Sequence, residues 1–236
     1  MKFSLTFLLL FLSISAFGQK LEITHLTGNF YIFTTYHDLE GTPFPANGMY
    51  LVTDKGVAMF DTPWDETQFQ PLLDSIQKRH NQKVVLCIST HFHADRTAGL
   101  EFYKSKDIKT FTSKPTDILS KKNGDKRAEF LFKKDTVFEL GNYTFRTFYP
   151  GKGHSPDNIV ILFDKEKIIY GGCFIKSTDN DNIGNLSDAN PKAWLKSAKK
   201  LMDVFPNPQF VIPGHFGWSS NKSVEHTLKI IQEYLK

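Results

Sequence analysis

The chain carries six side chains of the kinds that bind zinc, and in order they are His91, His93, Asp95, His154, Cys173 and His215. A catalytic zinc keeps three protein ligands and an open fourth position, whereas a structural zinc is closed by four. Six ligands can therefore make two sets of three. Two metal ions about 3.5–4 Å apart can hold a hydroxide and hydrolyse a carbonyl or phosphoryl bond, so these residue types favour a metal-dependent hydrolase.

Most of these side chains follow an apolar run after a sharp turn. The first three come directly after the run 83–89, whereas His154 follows the run 143–149 and His215 follows the run 209–212. Residues two apart on an extended segment point the same way, so the paired histidines can share one metal ion. The alternative is a polar loop with incidental histidines, which the recurrence of the pattern disfavours.

The two cysteines differ in their setting. Cys87 lies in an apolar run, whereas Cys173 follows two glycines at the end of another predicted strand. We expect a buried structural thiol at Cys87 and a zinc thiolate at Cys173. A disulfide between them, which an exported chain would allow, is the alternative.

The N-terminus has the pattern of a secretory signal. Lys2 precedes the apolar stretch 3–11, and Ala16 and Gly18 place small residues where a signal peptidase requires them. We expect a signal peptide over residues 1–18 and a periplasmic mature protein. The alternative is an N-terminal membrane anchor, but the apolar run is short for a bilayer span. No other segment reaches that length, so we expect no stable membrane insertion after cleavage.

Composition is that of a globular protein. The chain has 236 residues, 40% of them hydrophobic, and the 22 phenylalanines favour sheet-rich packing. The net charge of +4 is mild, and the lysines are scattered, as expected for a solvated surface. We therefore expect no nucleic-acid partner.

Hydrophobic periodicity predicts strands mixed with helices. Predicted strands are 21–25, 29–36, 49–53, 57–60, 83–89, 108–112, 137–140, 143–149, 159–163, 167–170 and 209–212. Predicted helices are 65–80, 97–104, 114–121, 191–205 and one that begins near Ser223. Residues 37–47, with their glycine and prolines, predict a long mobile loop. No linker or repeat divides the chain, so we expect a single domain over 19–236 with two sheets between helices.

Together with three further runs, these residues resemble a metallo-β-lactamase of the two-zinc subclass that uses a cysteine ligand. The runs are Asp-Thr-Pro-Trp-Asp-Glu (61–66), Gly-Lys-Gly-His-Ser-Pro-Asp-Asn (151–158) and Gly-Gly-Cys-Phe-Ile-Lys (171–176). The resemblance extends from residue 21 to the C-terminus. It implies an α/β protein with a four-layer αβ/βα sandwich and the metals at one edge, between the sheets.

The resemblance also implies a ligand set and a reaction. His91, His93 and His154 would bind the first zinc, and Asp95, Cys173 and His215 the second. The implied reaction is hydrolysis of the β-lactam amide of penicillins, cephalosporins and carbapenems, which confers antibiotic resistance. A zinc-bound hydroxide, oriented by Asp95, would attack without a covalent enzyme intermediate.

One position separates this subclass from other members of the superfamily. Many members have a histidine directly after the aspartate as a ligand of the second zinc, but here the residue is Arg96. An arginine cannot lose its proton to bind a metal, so Cys173 would supply the missing ligand. Arg96 would then orient a neighbouring loop or screen the thiolate. The alternative is an ordinary surface arginine.

Further positions match the substrate site of the family. Lys176 would bind the carboxylate of the β-lactam, and Asn185 would bind the substrate and donate to the lactam carbonyl oxygen during catalysis. An exposed strand lysine and an ordinary loop asparagine are the alternatives. Asp61 resembles a carboxylate that orients a metal ligand, although a strand-end turn explains it equally well. Residues 37–47 match a flap over the substrate with Phe44 near its tip; an ordinary hairpin loop is the alternative.

Two other functions remain open. The first is another hydrolase on this fold, such as a thioesterase or lactonase, and the second is a non-enzymatic protein with a closed zinc site. Ser-x-x-Lys runs begin at Ser75 and Ser197, but both fall on predicted amphipathic helices, so a serine mechanism is disfavoured. We expect a monomer that binds two zinc ions and a small-molecule β-lactam substrate.

Overall fold

The structure is a computed structural model that describes residues 21–133 and 135–236. The predicted signal peptide over 1–18 lies outside the described residues. The strands are β1 Glu22–Thr27, β2 Phe30–Leu39, β3 Thr42–Thr53, β4 Gly56–Phe60, β5 Val84–Ile88, β6 Lys109–Ser113, β7 Phe130–Phe132, β8 Val137–Leu140, β9 Tyr143–Phe148, β10 Val160–Phe163, β11 Ile168–Gly172 and β12 Phe210–Pro213. The helices are α1 Phe69–His80, α2 Ala94–Thr97, α3 Leu100–Lys104, α4 Lys114–Asn123, α5 Pro191–Val204 and α6 Ser223–Tyr234, with a 3₁₀ turn at Glu66–Gln68.

The strands form two sheets. The first has seven strands in chain order from β1 to β7, and the second has five in the order β12-β11-β10-β9-β8. In the first sheet β1 to β4 pair antiparallel, whereas β4 to β7 pair parallel. Parallel neighbours need long crossovers, and α1 to α4 supply these crossovers. The second sheet is antiparallel except for its β11–β12 pair.

Three apolar clusters fix the layer order. One cluster fills the space between the sheets, where Phe60 of the first sheet packs edge-on against Phe145 and Phe163 of the second. A second cluster lies beneath α1 on the first sheet, and a third lies beneath α5 and α6 on the second sheet. The order is helix, sheet, sheet, helix, which confirms the predicted four-layer αβ/βα sandwich.

The prediction of a long mobile loop over 37–47 was wrong, because these residues form a β-hairpin. Strands β2 and β3 continue to a two-residue turn at Glu40–Gly41, and Leu39 pairs with Thr42. Both turn residues have positive φ, 53° and 84°, which is the turn chemistry of a tight hairpin. The prolines that suggested a loop are tolerated because β4 pairs only with the Met49–Thr53 part of β3, so no ladder needs their missing N–H groups on that side.

Two other elements differ from the sequence prediction. The predicted helix 97–104 is two short helices, α2 and α3, separated by Ala98 and Gly99. Strand β7 has only three residues, too few for a periodicity signal. No helix in the described ranges is long and apolar enough to cross a membrane.

Candidate metal centre

Loops from both sheets bring all six candidate ligands to one edge of the sandwich. The segment after β5 carries His91, His93 and Asp95, and α2 begins between the last two. The β9–β10 connection carries His154, the end of β11 is followed by Cys173, and the end of β12 by His215. His91 is fully buried, and Asp95, His154 and Cys173 are buried as well.

Three imidazole nitrogens converge in the first group. His91 Nε2 lies 3.0 Å from His93 Nδ1, and His93 Nδ1 lies 3.1 Å from His154 Nε2. Two nitrogens each 2.0–2.1 Å from one tetrahedral zinc are about 3.3 Å apart, so the spacing is close to that of a metal site. Burial lowers the pKa of His91 and His154 well below the usual value, and these two rings are therefore neutral and can offer lone pairs.

A carboxylate, a thiol and an imidazole converge in the second group. Cys173 Sγ lies 3.2 Å from Asp95 Oδ2 and 3.2 Å from His215 Nε2, and the His215 nitrogen lies 3.1 Å from the same carboxylate oxygen. Burial raises the pKa of the Cys173 thiol, and the nearby Arg96 charge only partly offsets this. A metal cation would supply the missing positive charge, because a coordinating thiol is deprotonated outright.

The two groups adjoin. The ligand atoms of His91, His93 and Asp95 all lie within 4.8 Å of one another, and so do those of His91, His154 and Cys173. Nitrogen, oxygen and sulfur ligands at these distances fit zinc. The residues present therefore suit a metal centre, and their number is sufficient for two neighbouring ions.

Arg96 is buried beside this centre, so the alternative of a surface arginine is wrong. Its Nε donates to Asp95 Oδ2 at 3.0 Å, and its Nη2 donates to the carbonyl oxygen of Gly214 at 2.8 Å. Burial opposes the ionisation of Asp95, but the Arg96 charge and the bond to His215 outweigh it and hold the pKa of Asp95 well below its usual value. Arg96 thus keeps the carboxylate ionised and fixes the loop before His215.

Asp61 lies behind the ligand loop. Its carboxylate accepts from the Thr90 N–H at 2.7 Å and from the Thr90 hydroxyl at 2.8 Å, and Tyr170 Oη donates to it at 2.7 Å. Asp61 has the left-handed φ of 63°, a strained conformation that is common at functional sites. The carboxylate therefore orients the backbone just before His91. Burial raises the pKa of Asp61 to about 6.

Asn47 joins the β2–β3 hairpin to the loop that carries His215. Its Nδ2 donates to the carbonyl oxygens of Pro213 at 3.0 Å and Phe216 at 2.8 Å. Its backbone N–H donates to Gly214 at 2.8 Å. The sequence analysis missed this role because an Asn-Gly pair after prolines is typical of a turn, and the partner loop is 166 residues away.

His93 has a carboxylate partner that the sequence analysis also missed. His93 Nε2 lies 3.0 Å from Asp188 Oδ2. A carboxylate that accepts from one ring nitrogen fixes the proton there and leaves the other nitrogen free for a metal. Asp188 therefore orients His93 Nδ1 towards His91 and His154. No spacing rule links positions 93 and 188, so only the fold reveals the pair.

A cavity of about 620 Å³ opens over the centre. Its wall includes His93, Asp95, His154 and His215 from the ligand set, together with Lys176 and Asn185. Lys176 is only 8% exposed, so the alternative of an exposed strand lysine is wrong. Asn185 is exposed, and its Oδ1 accepts from the Ser187 N–H at 2.9 Å. The side-chain oxygen of Asn185 therefore stabilises the local turn. The residue also lines the cavity, and its side-chain N–H₂ group is a possible donor there.

The hairpin contributes to the cavity wall, but Phe44 is not at its tip. Phe44 lies in β3 opposite His37. Its ring centroid is 5.0 Å from that of His215 and 5.2 Å from that of Phe216. Packing against the His215 ring explains why this phenylalanine is only partly exposed.

Cys87 and Cys173 are both free thiols, so the alternative of a disulfide is wrong. Cys87 is fully buried in the cluster beneath α1, as expected for a structural thiol. Ser197, of the second Ser-x-x-Lys run, is buried and donates to the carbonyl oxygens of Lys152 and Ala193. A serine nucleophile is not available there.

Comparison with known proteins places this centre in a family. The model of the metallo-beta-lactamase superfamily matches residues 41–215. A metallo-beta-lactamase type 2 of Elizabethkingia meningoseptica is 41% identical over 99% of this chain and 95% of its own length. The metallo-beta-lactamase IND-1 of Chryseobacterium indologenes is 37% identical over 88% of this chain and 87% of its own length.

Solved structures give the same answer. A metallo-beta-lactamase from Pontibacter korlensis superposes with a TM-score of 0.87 at 32% identity, covering 90% of this chain and 99% of that one. The metallo-beta-lactamase IND-7 superposes with a TM-score of 0.86 at 37% identity, covering 90% of this chain and 98% of that one. With its Asp95, Cys173 and His215 group, the chain belongs to the metallo-β-lactamase superfamily and is consistent with the subclass that has a cysteine ligand.

Proposed function

We propose that this protein is a zinc-dependent β-lactamase that hydrolyses the amide bond of penicillins, cephalosporins and carbapenems and so confers antibiotic resistance. The observation that carries this proposal is the pair of adjoining ligand groups on the floor of a cavity of about 620 Å³ whose wall holds a lysine. The identity of 41% with a metallo-beta-lactamase over nearly the whole chain supports it.

We assign one zinc to each ligand group. His91, His93 and His154 would hold the first ion, and Asp95, Cys173 and His215 the second. The chemistry that zinc supplies in such a centre is a nucleophilic hydroxide at neutral pH and polarisation of the carbonyl by a Lewis acid. Each group has three protein ligands, which leaves a position open for substrate, as a catalytic site requires.

The protein residues orient the substrate and the nucleophile. Lys176 presents a cation to the carboxylate of the β-lactam, and Asn185 presents an N–H to the oxygen of the amide carbonyl. A donor aimed at the developing oxyanion is worth more in a water-poor cavity than in solvent. The pKa of Asp95 is held low, so its carboxylate stays ionised. It can therefore accept a hydrogen bond from a water and orient that water for attack without retaining the proton of the water. No protein nucleophile is needed, and no covalent enzyme intermediate forms.

A thioesterase or lactonase on this fold is the main competitor. Purified protein with zinc added should hydrolyse a penicillin, a cephalosporin and a carbapenem, and should lose this activity when a chelator removes the metal. Turnover of a thioester in place of every β-lactam would refute the proposal. Elemental analysis should give two zinc ions per chain, whereas one tightly bound ion and no turnover would favour a closed structural site.

We further propose that residues 1–18 are a signal peptide and that residues 19–236 form one domain in the periplasm. The pattern Lys2, apolar run, Ala16 and Gly18 supports cleavage, and the shared core between the two sheets supports one domain. N-terminal sequencing of the protein from a periplasmic extract should begin at Gln19. Full-length protein in the membrane fraction would favour an anchor.

A further inference from the structure

Trp194 is a fully buried residue of α5 that contacts a cation of the cavity. The Nζ atom of Lys176 lies 5.3 Å from the centroid of the Trp194 ring, within the range of a cation–π interaction. Trp194 is 0% exposed and is the largest fully buried side chain among the described residues. The tryptophan therefore forms part of the surface on which the ammonium group rests.

The ammonium group has no other fixed partner among the residues that the structure describes. No salt bridge links Lys176 Nζ to a carboxylate of the described residues; Cys173 and Asp95 act on the ammonium group only through space. The backbone N–H of Lys176 donates to Thr227 Oγ1 at 2.8 Å. Gly184 also leaves room for the ammonium group, since a Cβ there would be 3.1 Å from Nζ. A lysine side chain has many rotamers, and ordering it costs free energy, so a surface that restricts Nζ prepares it for an anion.

The ring itself is held in place from several sides. Trp194 Nε1 donates to the carbonyl oxygen of Phe174 at 2.9 Å, which satisfies the only polar atom of the buried indole. Gly153 packs against the same five-membered ring, because a Cβ there would be 2.9 Å from Trp194 Cδ1. The His154 ring centroid is 5.9 Å away. Trp194 thus touches both a candidate zinc ligand and the candidate carboxylate-binding lysine.

We propose that Trp194 is a positioning residue that presents the Lys176 ammonium group to the carboxylate of the substrate. The inference rests on the proposed function, in which Lys176 binds that carboxylate. An aromatic face suits this task better than an acidic partner would. A buried aspartate or glutamate would neutralise the lysine and compete with the substrate, whereas the ring restricts Nζ and leaves its whole charge available.

The test compares two apolar substitutions, of which only one keeps an aromatic face. Trp194→Phe and Trp194→Leu both remove the bond from Nε1 to Phe174, but only the first keeps a ring. With a free-acid β-lactam, KM of the leucine variant should exceed that of the phenylalanine variant by roughly 3- to 30-fold, the range of a cation–π interaction. kcat should be similar, because the lost contact is present in the ground state as well as the transition state.

Two controls separate positioning from packing. With the same β-lactam methylated at its carboxylate, the two variants should have equal KM. In a Lys176→Ala background they should have equal KM for the free acid too, because the group through which the ring acts is gone.

The ε-methylene protons of Lys176, identified by their loss in Lys176→Ala, should be shifted upfield by the ring current in wild-type protein and not in the leucine variant. If the leucine variant does not fold, Trp194→Met supplies another non-aromatic side chain.

The outcomes distinguish the two proposals. If Lys176→Ala leaves KM for the free acid unchanged, the role of Lys176 in the proposed function is wrong. If Lys176→Ala raises KM but the leucine and phenylalanine variants do not differ, only the inference about Trp194 is wrong. If Trp194→Leu raises KM above that of Trp194→Phe by the same factor for the free acid and the ester, Trp194 acts through packing alone. That result would also overturn the inference.

Discussion

Arg96 and Asp61 form a buried ion pair, with Nη1 3.4 Å from Oδ2 and both side chains shielded from solvent. Arg96 also pairs with Asp95 at 3.0 Å, so one guanidinium lies between two carboxylates on adjoining loops. The cation thereby links the segment behind the ligand loop to the second ligand group.

Arg96→Ala should destabilise the metal-free protein by about 3–5 kcal/mol, because it leaves buried carboxylates without their cation. Arg96→Lys should cost less, since it keeps the charge but loses the fork of donors that reaches several acceptors at once. Urea unfolding of the three metal-free proteins at one pH measures both values. Equal stability of the alanine variant and the wild type would contradict this account of the pair.

Cys173→Ser should weaken binding of the second metal ion by at least roughly tenfold, the loss typical even of residues that only support a ligand. In protein loaded with cobalt(II), the absorption band of thiolate-to-metal charge transfer should disappear. Cys87→Ser is the matched control, because Cys87 is a buried thiol in the apolar cluster beneath α1. If the serine at position 173 leaves the band and the metal content unchanged, Cys173 is not a ligand.

Asp188→Ala should lower affinity for the first metal ion by roughly 10- to 100-fold, because His93 loses the carboxylate that fixes its tautomer. The matched control is Asp125→Asn, since the Asp125 carboxylate interacts with His93 only through space. Competition with a chromophoric chelator measures both affinities without any substrate. Equal weakening by the two substitutions would assign the effect to net charge rather than to the bond with His93.

Asn185→Ala and Asn185→Asp separate the two roles of this asparagine. The aspartate keeps the acceptor that bonds to the Ser187 N–H but lacks the N–H₂ group. If that group stabilises the oxyanion, both variants should lose roughly 10²- to 10³-fold in kcat, as loss of one such donor does elsewhere. Full activity of the aspartate variant would show that only the turn matters.

Asp61 should make the stability of the metal-free protein depend on pH. Its pKa is raised to about 6 in the folded protein from the usual 3.8, so between these values the folded state binds the proton more tightly than the unfolded state. The stability that protonated Asp61 contributes is present at low pH and is lost as the pH rises through 6. Relative to Asp61→Asn, the wild type should lose about 2–3 kcal/mol between about pH 4 and pH 7.

Urea unfolding of the wild type and of Asp61→Asn across this range measures the difference. Both proteins share every other titrating group, so most other contributions cancel. A difference that changes in the opposite direction would mean that the Arg96 charge outweighs burial and lowers the pKa of Asp61.

The sequence by itself predicted the six candidate metal ligands and an arrangement of two sheets between helices. Candidate ligands such as His154 and His215 could be recognised because each follows an apolar strand and a tight turn. Such local signals depend on neighbouring residues alone. Strand and helix periodicities are local in the same way, so two sheets between helices could be predicted, and the resemblance to the family implied the αβ/βα order of the layers. The β2–β3 hairpin could not, because whether Pro43 and Pro45 break a strand depends on which of its edges is already paired.

Only the tertiary structure decided which side chains support that set. Asp188 accepts from His93, Asn47 holds the loop of His215, and Trp194 lies against Lys176, yet no sequence spacing connects these pairs. Their contacts form when distant loops pack at one edge of the sandwich. In the sequence, a carboxylate, an amide or an aromatic ring that supports the site looks like any other residue of its type. Its role is set by the neighbours that folding brings to it.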